Sequence, residues 1–390
     1  MKRIIKHVSI VLENGTIMDG NVLIQNGKIV EVGNVEDQEA DVLFDGTNQQ
    51  IILLPGFIDV HIHGANGYDV MDASLEALEG LSSALPREGT TSYLATTMTQ
   101  EANEIEEAVI NVERYMTHQS AKGRAEVLGI HLEGPFISKD KAGAQPIQHI
   151  LTPNPDLFDK WQRKSGNAIR LVTLAPEVEG GLSFIEHITN QGVVASIGHS
   201  DATYEEVTKA VQSGARHVTH LFNQMRGLHH REPGVIGATF LNPKLIAEMI
   251  VDGVHVHPEA VRLAYANKGP DKTILITDAM RAKCLPEGTY TLGGQQVNVE
   301  GKEARLSDGT LAGSIVTLQQ AAKNMRQITS LEWDELVKLT SVNAAKQIGV
   351  YDRKGSITPG KDADIVLVDK ELQIEMTICK GIISFEKGKL

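Results

Sequence analysis

A His-x-His pair is the first feature of this sequence that could carry out chemistry. His61 and His63 follow an apolar run at 51–60 that has the character of a buried strand. Residues two apart on a strand point to the same side, so both imidazoles would project together. Neutral ring nitrogens are good ligands for zinc, iron and related ions. One such pair among 14 histidines can arise by chance, so four later segments decide whether it marks a metal site.

Each of these segments ends a short apolar run with one polar residue. They are Glu133 after 127–132, His199 after 193–198, His220 after 217–219 and Asp278 after 273–277. Helix-like stretches lie between the runs, at 105–116, 182–189, 204–213 and 258–267. This alternation predicts a parallel sheet. Polar residues at the ends of successive strands are typical of the active site of a (β/α)8 TIM-type barrel, so we predict an α/β protein with this barrel.

Six further histidines have sequence contexts that do not favour a role as metal ligands. His131 and His217 interrupt or precede apolar runs, so we interpret them as core groups that support ligands rather than as ligands. We interpret His7, His118, His149 and His187 as surface residues.

These motifs resemble the amidohydrolase superfamily, and within it the N-acetylglucosamine-6-phosphate deacetylase family. The resemblance runs nearly end to end. It rests on Pro-Gly-Phe-Ile-Asp-Val-His-Ile-His-Gly at 55–64, His-Leu-Glu-Gly-Pro-Phe at 131–136, Gly-His-Ser at 198–200, Thr-His-Leu-Phe-Asn-Gln-Met at 219–225, Arg-Glu-Pro-Gly at 231–234, Asp-Gly-Val-His at 252–255, Thr-Asp-Ala-Met at 277–280 and Leu-Ala-Gly-Ser at 311–314. Many amidohydrolases share the first motif, whereas the others together are narrow.

The resemblance implies metal-dependent hydrolysis of the acetamide of N-acetyl-D-glucosamine 6-phosphate to D-glucosamine 6-phosphate and acetate, in amino-sugar catabolism or cell-wall recycling. Some family members lack the two histidines of the first motif and bind a single metal. This chain keeps both, so we expect two divalent ions per subunit. Zinc and iron are the first candidates, and the donor set does not choose between them.

The predicted ligands divide between two ions. Glu133 is our candidate for a bridging carboxylate, with His199 and His220 on one ion and His61 and His63 on the other. Asp278 is a further ligand and our candidate acid–base group, because a carboxylate near a metal stays ionised at neutral pH. The resemblance assigns Asp278 the same acid–base role.

The resemblance also implies a set of substrate-binding positions. These are Ala144, Asn223, Gln224, Arg231, Asp252, His255, Leu311, Ala312 and Gly313. We expect His255 to face the substrate, since the metals already have donors. For the phosphate, the resemblance implies Asn223, the amide of Gln224 and Arg231. Arginine offers forked donors that suit phosphate oxygens, and His229 and His230 lie beside it. By resemblance, Arg231 reaches the active site of a neighbouring subunit in a homodimer.

Composition and charge exclude other classes of function. The net charge of −13 with no basic cluster argues against a nucleic-acid partner. No apolar span reaches 18 residues, so we expect no membrane association and a cytoplasmic enzyme. Cys284 and Cys379 form neither a disulfide framework nor a cysteine metal site.

Strand-like segments without helices recur at the two ends of the chain. We therefore predict a small β-sandwich domain from residues 1–54 and 355–390, with the hydrolase barrel at 55–354.

Two other functions remain open. A cyclic-amide hydrolase or base deaminase on the same barrel is disfavoured, because many cyclic-amide hydrolases bridge their metals with a carboxylated lysine, and here Glu133 stands at the third strand. A non-catalytic binding or scaffolding protein on this barrel would typically have lost metal ligands, whereas this chain retains all of the predicted ones and Asp278.

Overall fold

The computed structural model describes residues 2–35, 39–119 and 123–389. Residues 1, 36–38 and 390, which belong to the predicted terminal ranges 1–54 and 355–390, lie outside the described residues. No helix in the described ranges is both long and apolar enough to cross a membrane.

Strands and helices alternate through the middle of the chain, and strands dominate both ends. The strands are β1 (Lys2–Leu12), β2 (Gly15–Gln25), β3 (Lys28–Gly33), β4 (Asp41–Asp45), β5 (Ile52–Pro55), β6 (Phe57–Ile62), β7 (Gly64–Ala65), β8 (Tyr68–Asp69), β9 (Thr90–Thr97), β10 (Glu126–Glu133), β11 (Ile169–Leu174), β12 (Val194–Ile197), β13 (His217–Val218), β14 (Ile246–Ile250), β15 (Thr273–Ile276), β16 (Gly288–Leu292), β17 (Gln295–Glu300), β18 (Glu303–Arg305), β19 (Ile365–Val368), β20 (Ile374–Cys379) and β21 (Ile382–Glu386).

The helices are α1 (Leu75–Ala84), α2 (Ala102–His118), α3 (Pro155–Lys164), α4 (Gly181–Thr189), α5 (Tyr204–Ser213), α6 (Gly234–Leu241), α7 (Pro258–Lys268), α8 (Leu318–Thr329), α9 (Trp333–Val337) and α10 (Asn343–Gln347). A π-helical turn at Lys338–Val342 joins the last two. Short 3₁₀ turns lie at Val70–Asp72, Leu85–Glu88, Lys139–Lys141, Ile147–His149 and Pro270–Lys272.

Eight parallel strands form the barrel, in the order β6-β9-β10-β11-β12-β13-β14-β15. The two ends of this path meet where Ile62 bridges Ala279 and where the buried Asp59 carboxylate accepts a hydrogen bond of 2.6 Å from Thr277 Oγ1. β9 is buried along its whole length, as expected for a parallel sheet covered by helices. The predicted (β/α)8 fold class is confirmed.

The apolar run at 51–60 differs from its prediction as one strand, because it divides into two strands of different sheets. β5 pairs with β1 and β19, whereas β6 begins the barrel. The chain crosses between the sheets at Gly56, where a Cβ would lie 2.1 Å from Thr91 Oγ1. Only glycine allows this close approach.

The second sheet combines both chain ends, in the order β21-β20-β19-β5-β1-β2-β3, with β4 also paired to β1. It has its own hydrophobic core, which includes Ile5, Val22, Leu53, Ile365 and Ile378. The insert between β15 and α8 is a three-stranded antiparallel sheet, β16-β17-β18. Its side chains Leu292 and Val297 pack with Met98 and Met280 in a small separate core at the barrel rim.

Candidate active site

Six predicted metal-binding side chains converge at the carboxyl ends of the barrel strands. His61 lies near the end of β6, His63 follows that strand directly, and Glu133 is the last residue of β10. His199, His220 and Asp278 each lie two residues beyond their strands and adopt left-handed backbone conformations, with φ of 47°, 30° and 49°. Such conformations persist where the surrounding structure enforces them, and they are common at active sites.

The Glu133 carboxylate is the centre of this cluster. Its Oε1 lies 3.2 Å from His61 Nε2, 3.3 Å from His199 Nε2 and 3.2 Å from His220 Nε2. Its Oε2 lies 3.2 Å from His63 Nε2. Asp278 Oδ1 is 3.3 Å from the Nε2 atoms of both His61 and His63.

These separations fit ligands that surround metal ions. Nitrogen ligands about 2.0–2.1 Å from one tetrahedral zinc ion lie about 3.3 Å from one another. His199 Nε2 and His220 Nε2 lie 3.1 Å apart, and Glu133 is within reach of both. His61, His63 and Glu133 form a second group of close ligand atoms. His61 Nε2 is buried, and its close carboxylate neighbours among the described residues do not meet hydrogen-bond geometry, as expected for a nitrogen that serves a cation.

Burial and charge act against each other in this cluster. Burial alone lowers the pKa of His63, but hydrogen bonds to Asp278 and Glu133 raise it to about 10. Burial alone raises the pKa of Asp278, but the charge of His61 and a hydrogen bond from His63 bring it below its usual value. Burial also raises the pKa of Glu133, but the charge of His61 and hydrogen bonds from His199 and His220 hold it well below its usual value. Both carboxylates therefore favour ionisation and require positive charge nearby, which metal ions can supply.

Glu248 lies behind the predicted ligands, and sequence reasoning missed it. Its carboxylate lies 3.0 Å from His61 Nδ1 and 2.9 Å from His217 Nε2, and it accepts a 3.1 Å hydrogen bond from the backbone N–H of His220. A carboxylate at Nδ1 fixes the tautomer that leaves Nε2 free for a metal. The available signal was a charged residue inside the apolar strand β14.

Other groups hold the remaining predicted ligands in place. The Gln145 amide donates to Glu133 Oε2 over 2.7 Å, and His199 Nδ1 lies 2.8 Å from the carbonyl oxygen of Lys141. Both ring nitrogens of His131 have protein partners, Val60 O and Thr173 Oγ1. Burial lowers the pKa of His131 to about 3, so this side chain is a neutral core group.

A cavity of about 360 Å³ opens above the cluster. Its wall includes six of the predicted substrate-binding residues, Ala144, Asn223, Gln224, His255, Leu311 and Gly313. Met98, Gln145, Leu292, Arg305 and Thr310 also line it and were not predicted. Several of these belong to the β16-β17-β18 insert or the loop after it, and the sequence alone gave no reason to place that insert over the site.

His255 is held towards this cavity by Asp252. The carboxylate of Asp252 lies 2.6 Å from His255 Nδ1, and it accepts 2.8 Å hydrogen bonds from the backbone N–H groups of Val254 and His255. Burial alone lowers the pKa of His255, but the bond to Asp252 raises it above its usual value. Asp252 is thus placed to orient His255.

Three predicted substrate-binding residues are not on the cavity wall of this chain. Asp252 lies behind His255. Ala312 is buried, and its backbone N–H donates to Ala304 O over 2.9 Å. Arg231 is exposed, with Nη1 2.8 Å from His230 Nε2. The arginine therefore does not reach the cavity of its own chain.

Comparisons with known proteins agree on one family. The sequence profile of the amidohydrolase family matches residues 52–383. The chain is 48% identical to the N-acetylglucosamine-6-phosphate deacetylase of Bacillus subtilis, over 98% of this chain and 97% of that protein. It is 34% identical to the N-acetylgalactosamine-6-phosphate deacetylase of Escherichia coli O157:H7, over 98% and 99% of the two chains.

A solved structure is similar over the same length. It is a mutant of N-acetyl-D-glucosamine-6-phosphate deacetylase from Mycobacterium smegmatis, in complex with N-acetyl-D-glucosamine-6-phosphate. It matches with a TM-score of 0.91 and 29% identity, over 98% of this chain and 99% of that chain.

Proposed function

The chain belongs to the amidohydrolase family and, within it, to the N-acetylglucosamine-6-phosphate deacetylases, and on this premise we propose that it hydrolyses N-acetyl-D-glucosamine 6-phosphate to D-glucosamine 6-phosphate and acetate. The observation that carries the proposal is the convergence of four imidazoles with Glu133 and Asp278 beneath a cavity faced by His255.

The metal centre would hold two divalent ions. Glu133 would bridge them, His199 and His220 would hold one, and His61 and His63 would hold the other, with Asp278 beside the latter pair. Metal bound by these residues would supply polarisation of the acetamide carbonyl and a water whose pKa is lowered to about 7. Zinc and iron both suit these donors.

Asp278 moves the proton. Its carboxylate is ionised and lies at the mouth of the ligand cluster, so it can take a proton from the attacking water. It then returns this proton to the sugar nitrogen, which leaves as an amine only when protonated. His255, fixed through Nδ1 by Asp252, presents its other ring nitrogen to the substrate and donates a hydrogen bond to the carbonyl or a sugar hydroxyl.

Arg231 would serve the 6-phosphate of a neighbouring subunit in a homodimer. The segment from Met225 to Pro233 leaves the barrel rim, and its exposed Arg231 lies outside the cavity of its own chain. A two-fold axis would let each subunit donate this loop to the other. A cytoplasmic location is consistent with a substrate whose charged phosphate resists passage through a membrane.

Acetate release from metal-counted protein tests the proposal. The substrates are N-acetylglucosamine 6-phosphate, N-acetylgalactosamine 6-phosphate and their unphosphorylated forms. We expect the glucosamine phosphate to give the highest kcat/KM, with two metals per chain. The galactosamine substrate is included because of the relative from Escherichia coli. Failure of both phosphorylated sugars to release acetate from metal-loaded protein would rule out the function.

Mixed dimers test the role of Arg231. Arg231→Ala protein combined with Asp278→Asn protein should form dimers in which one site has both defects and the other has neither. Activity should then exceed the sum of the two parents. No recovery after confirmed subunit exchange would place Arg231 outside the neighbouring site.

A further inference from the structure

Arg305 lines the active-site cavity, and neither the ligand set nor the proposed mechanism uses it. Among the described residues that form the cavity wall, it is the sole lysine or arginine. The other charged groups there are Glu133 and Asp278, together with the imidazoles of the cluster. A phosphorylated sugar that enters this cavity therefore meets a single permanent positive charge from the same chain.

The β16-β17-β18 insert holds Arg305 in place. Arg305 ends β18 and forms a backbone bridge with Leu311, and the neighbouring Ala304 accepts a hydrogen bond from Ala312. Ala304 belongs to the small core that anchors the insert to the barrel rim. Packing and backbone pairing therefore fix the backbone position of Arg305, which does not belong to a free loop.

The guanidinium is also oriented. Nε donates to Glu303 Oε2 over 2.7 Å, and Nη1 donates to the carbonyl oxygen of Gly309 over 2.6 Å. The described residues provide no partner for the other terminal nitrogen, Nη2. A guanidinium with two of its nitrogens fixed keeps one pair of N–H donors for a ligand, and phosphate oxygens suit such donors.

The insert contacts the part of the cavity that contains Gln224. Its Gln295 side chain donates to Ala144 O over 2.7 Å. Gly143, next to Ala144, lies so close to Gln224 that a Cβ there would be 2.8 Å from its side chain. Gln224 is one of the positions expected near the phosphate, so the insert that carries Arg305 adjoins that region.

We propose that Arg305 binds the 6-phosphate of the substrate within its own subunit. The inference rests on the proposed function and adds a positively charged residue to its substrate site. A phosphate monoester carries a charge of about −1.5 to −2 at neutral pH, which exceeds the charge of one guanidinium. Arg305, although its Nε pairs with Glu303, would therefore add to the positive charge that Arg231 of the partner subunit supplies.

Three variants test the inference. Arg305→Gln removes the charge, Arg305→Lys keeps it without the fork, and Lys302→Gln removes an exposed charge from the same insert as a matched control. Each is assayed with N-acetylglucosamine 6-phosphate and with N-acetylglucosamine, and inorganic phosphate serves as a competitive probe. Metal content and thermal unfolding establish that each variant is folded.

We expect Arg305→Gln to raise KM for the phosphorylated sugar by about 10- to 100-fold, the usual cost of a charge-assisted contact. Its kcat/KM for the unphosphorylated sugar should stay within about twofold of wild type, and inhibition by inorganic phosphate should weaken. Arg305→Lys should recover part of the loss, and Lys302→Gln should match wild type. Equal losses with both sugars, or an unchanged KM, would overturn the inference.

Mixed dimers distinguish the two arginines. Arg305→Gln combined with Asp278→Asn should show no recovery, because both residues serve the same site, whereas recovery would overturn the assignment. If wild-type protein releases no acetate, the proposed function fails independently of Arg305. Calorimetric binding of glucosamine 6-phosphate and glucosamine then decides, since Arg305→Gln must lose the preference for the phosphorylated sugar if the inference holds.

Discussion

Strand β10 begins and ends with a glutamate, and the two carboxylates lie in charged clusters of opposite character. Glu133, at the carboxyl end, is surrounded by four imidazoles and lies near Asp278 and Glu248. Glu126, at the amino end, faces Arg353, Lys354 and Lys380. We call the first group the strand-end cluster. The second, with Asp362 and Asp364, is the junction cluster.

The junction cluster is neutralised by its own side chains. Glu126 accepts hydrogen bonds of 3.0 Å from both terminal nitrogens of Arg353, and Lys354 Nζ lies 2.8 Å from it. The buried Lys354 also bonds Asp364. Burial alone raises the pKa of Glu126, but Lys354 and Arg353 bring it down to about 2. This cluster joins the start of barrel strand β10 to the segment from Arg353 to Asp364, which leads back into the terminal sheet.

The strand-end cluster lacks such compensation. Among the described residues, no lysine or arginine pairs with Glu133, Asp278 or Glu248 in the ion pairs found. Its positive charge must come from protons or from bound cations. Burial of carboxylates is therefore not itself a sign of function, whereas buried carboxylates whose only cationic neighbours are imidazoles indicate a metal site. This division also matches the two faces of a barrel, where the carboxyl ends of strands carry catalysis and the amino ends carry stability.

Among changes in the strand-end cluster, Asp278→Asn should have the largest effect on activity. The amide cannot accept the proton of the attacking water, so kcat should fall by about 10²–10⁴, while the metal content should stay at the wild-type level. Steady-state kinetics with metal analysis measures this. Glu126→Gln is the control, since it should lower stability and leave kcat unchanged. A near-normal rate for Asp278→Asn with full metal occupancy would contradict the assignment.

Lys354→Met should have the largest effect on the junction side. It removes a buried cation from Glu126 and Asp364 and leaves their charges partly uncompensated, so the free energy of unfolding should fall by about 3–5 kcal/mol. Urea unfolding of metal-loaded protein measures the loss. Chelation should destabilise wild type and the variant by the same increment. If Lys354→Met instead lowered metal content without a change in stability, the two clusters would not be independent.

The sequence predicted the strand-end residues because their pattern is local. Each predicted ligand follows an apolar run, and the runs alternate with amphipathic helices, so the barrel brings these side chains together. Glu248 was missed because its role depends on His61 and His217 from other strands. The division at Gly56 was missed because the 51–60 run is apolar in both sheets, and only contact with Thr91 marks the crossing.

The junction cluster was not predictable from spacing. Glu126 and Lys354 are far apart in the chain. Glu126 stands just before an apolar run and Lys354 lies in a polar segment, so neither position indicates a buried charge. The placement of Arg305 over the cavity likewise depends on how the insert packs against Met98 and Met280. Long-range pairing of this kind has no periodic signature in the sequence.

Glu248→Gln should have a smaller effect, which falls on metal affinity. The amide keeps the size of the side chain but removes the charge that supports His61 Nδ1, so metal affinity should fall by about 10- to 100-fold. Competition with a chelator measures the affinity. Glu88→Gln is a matched control, because Glu88 is also buried but pairs with Lys283. An equal loss of metal affinity in both variants would mean that general destabilisation, and not support of His61, explains the result.

Lys28→Gln should have the smallest effect on stability, although Lys28 pairs with Asp362 of the junction cluster. Its Nζ lies 2.6 Å from Asp362 Oδ1, but its side chain is 48% exposed, against 1% for Lys354. Exposed ion pairs contribute about 0.2–1 kcal/mol because water screens them. Asp362 also keeps Arg353 at 2.8 Å. Urea unfolding should therefore show a loss below about 1 kcal/mol, which should shrink further at high salt. A loss as large as that of Lys354→Met would show that burial does not set the strength of these pairs, and the contrast between a compensated and an uncompensated cluster would need another physical basis.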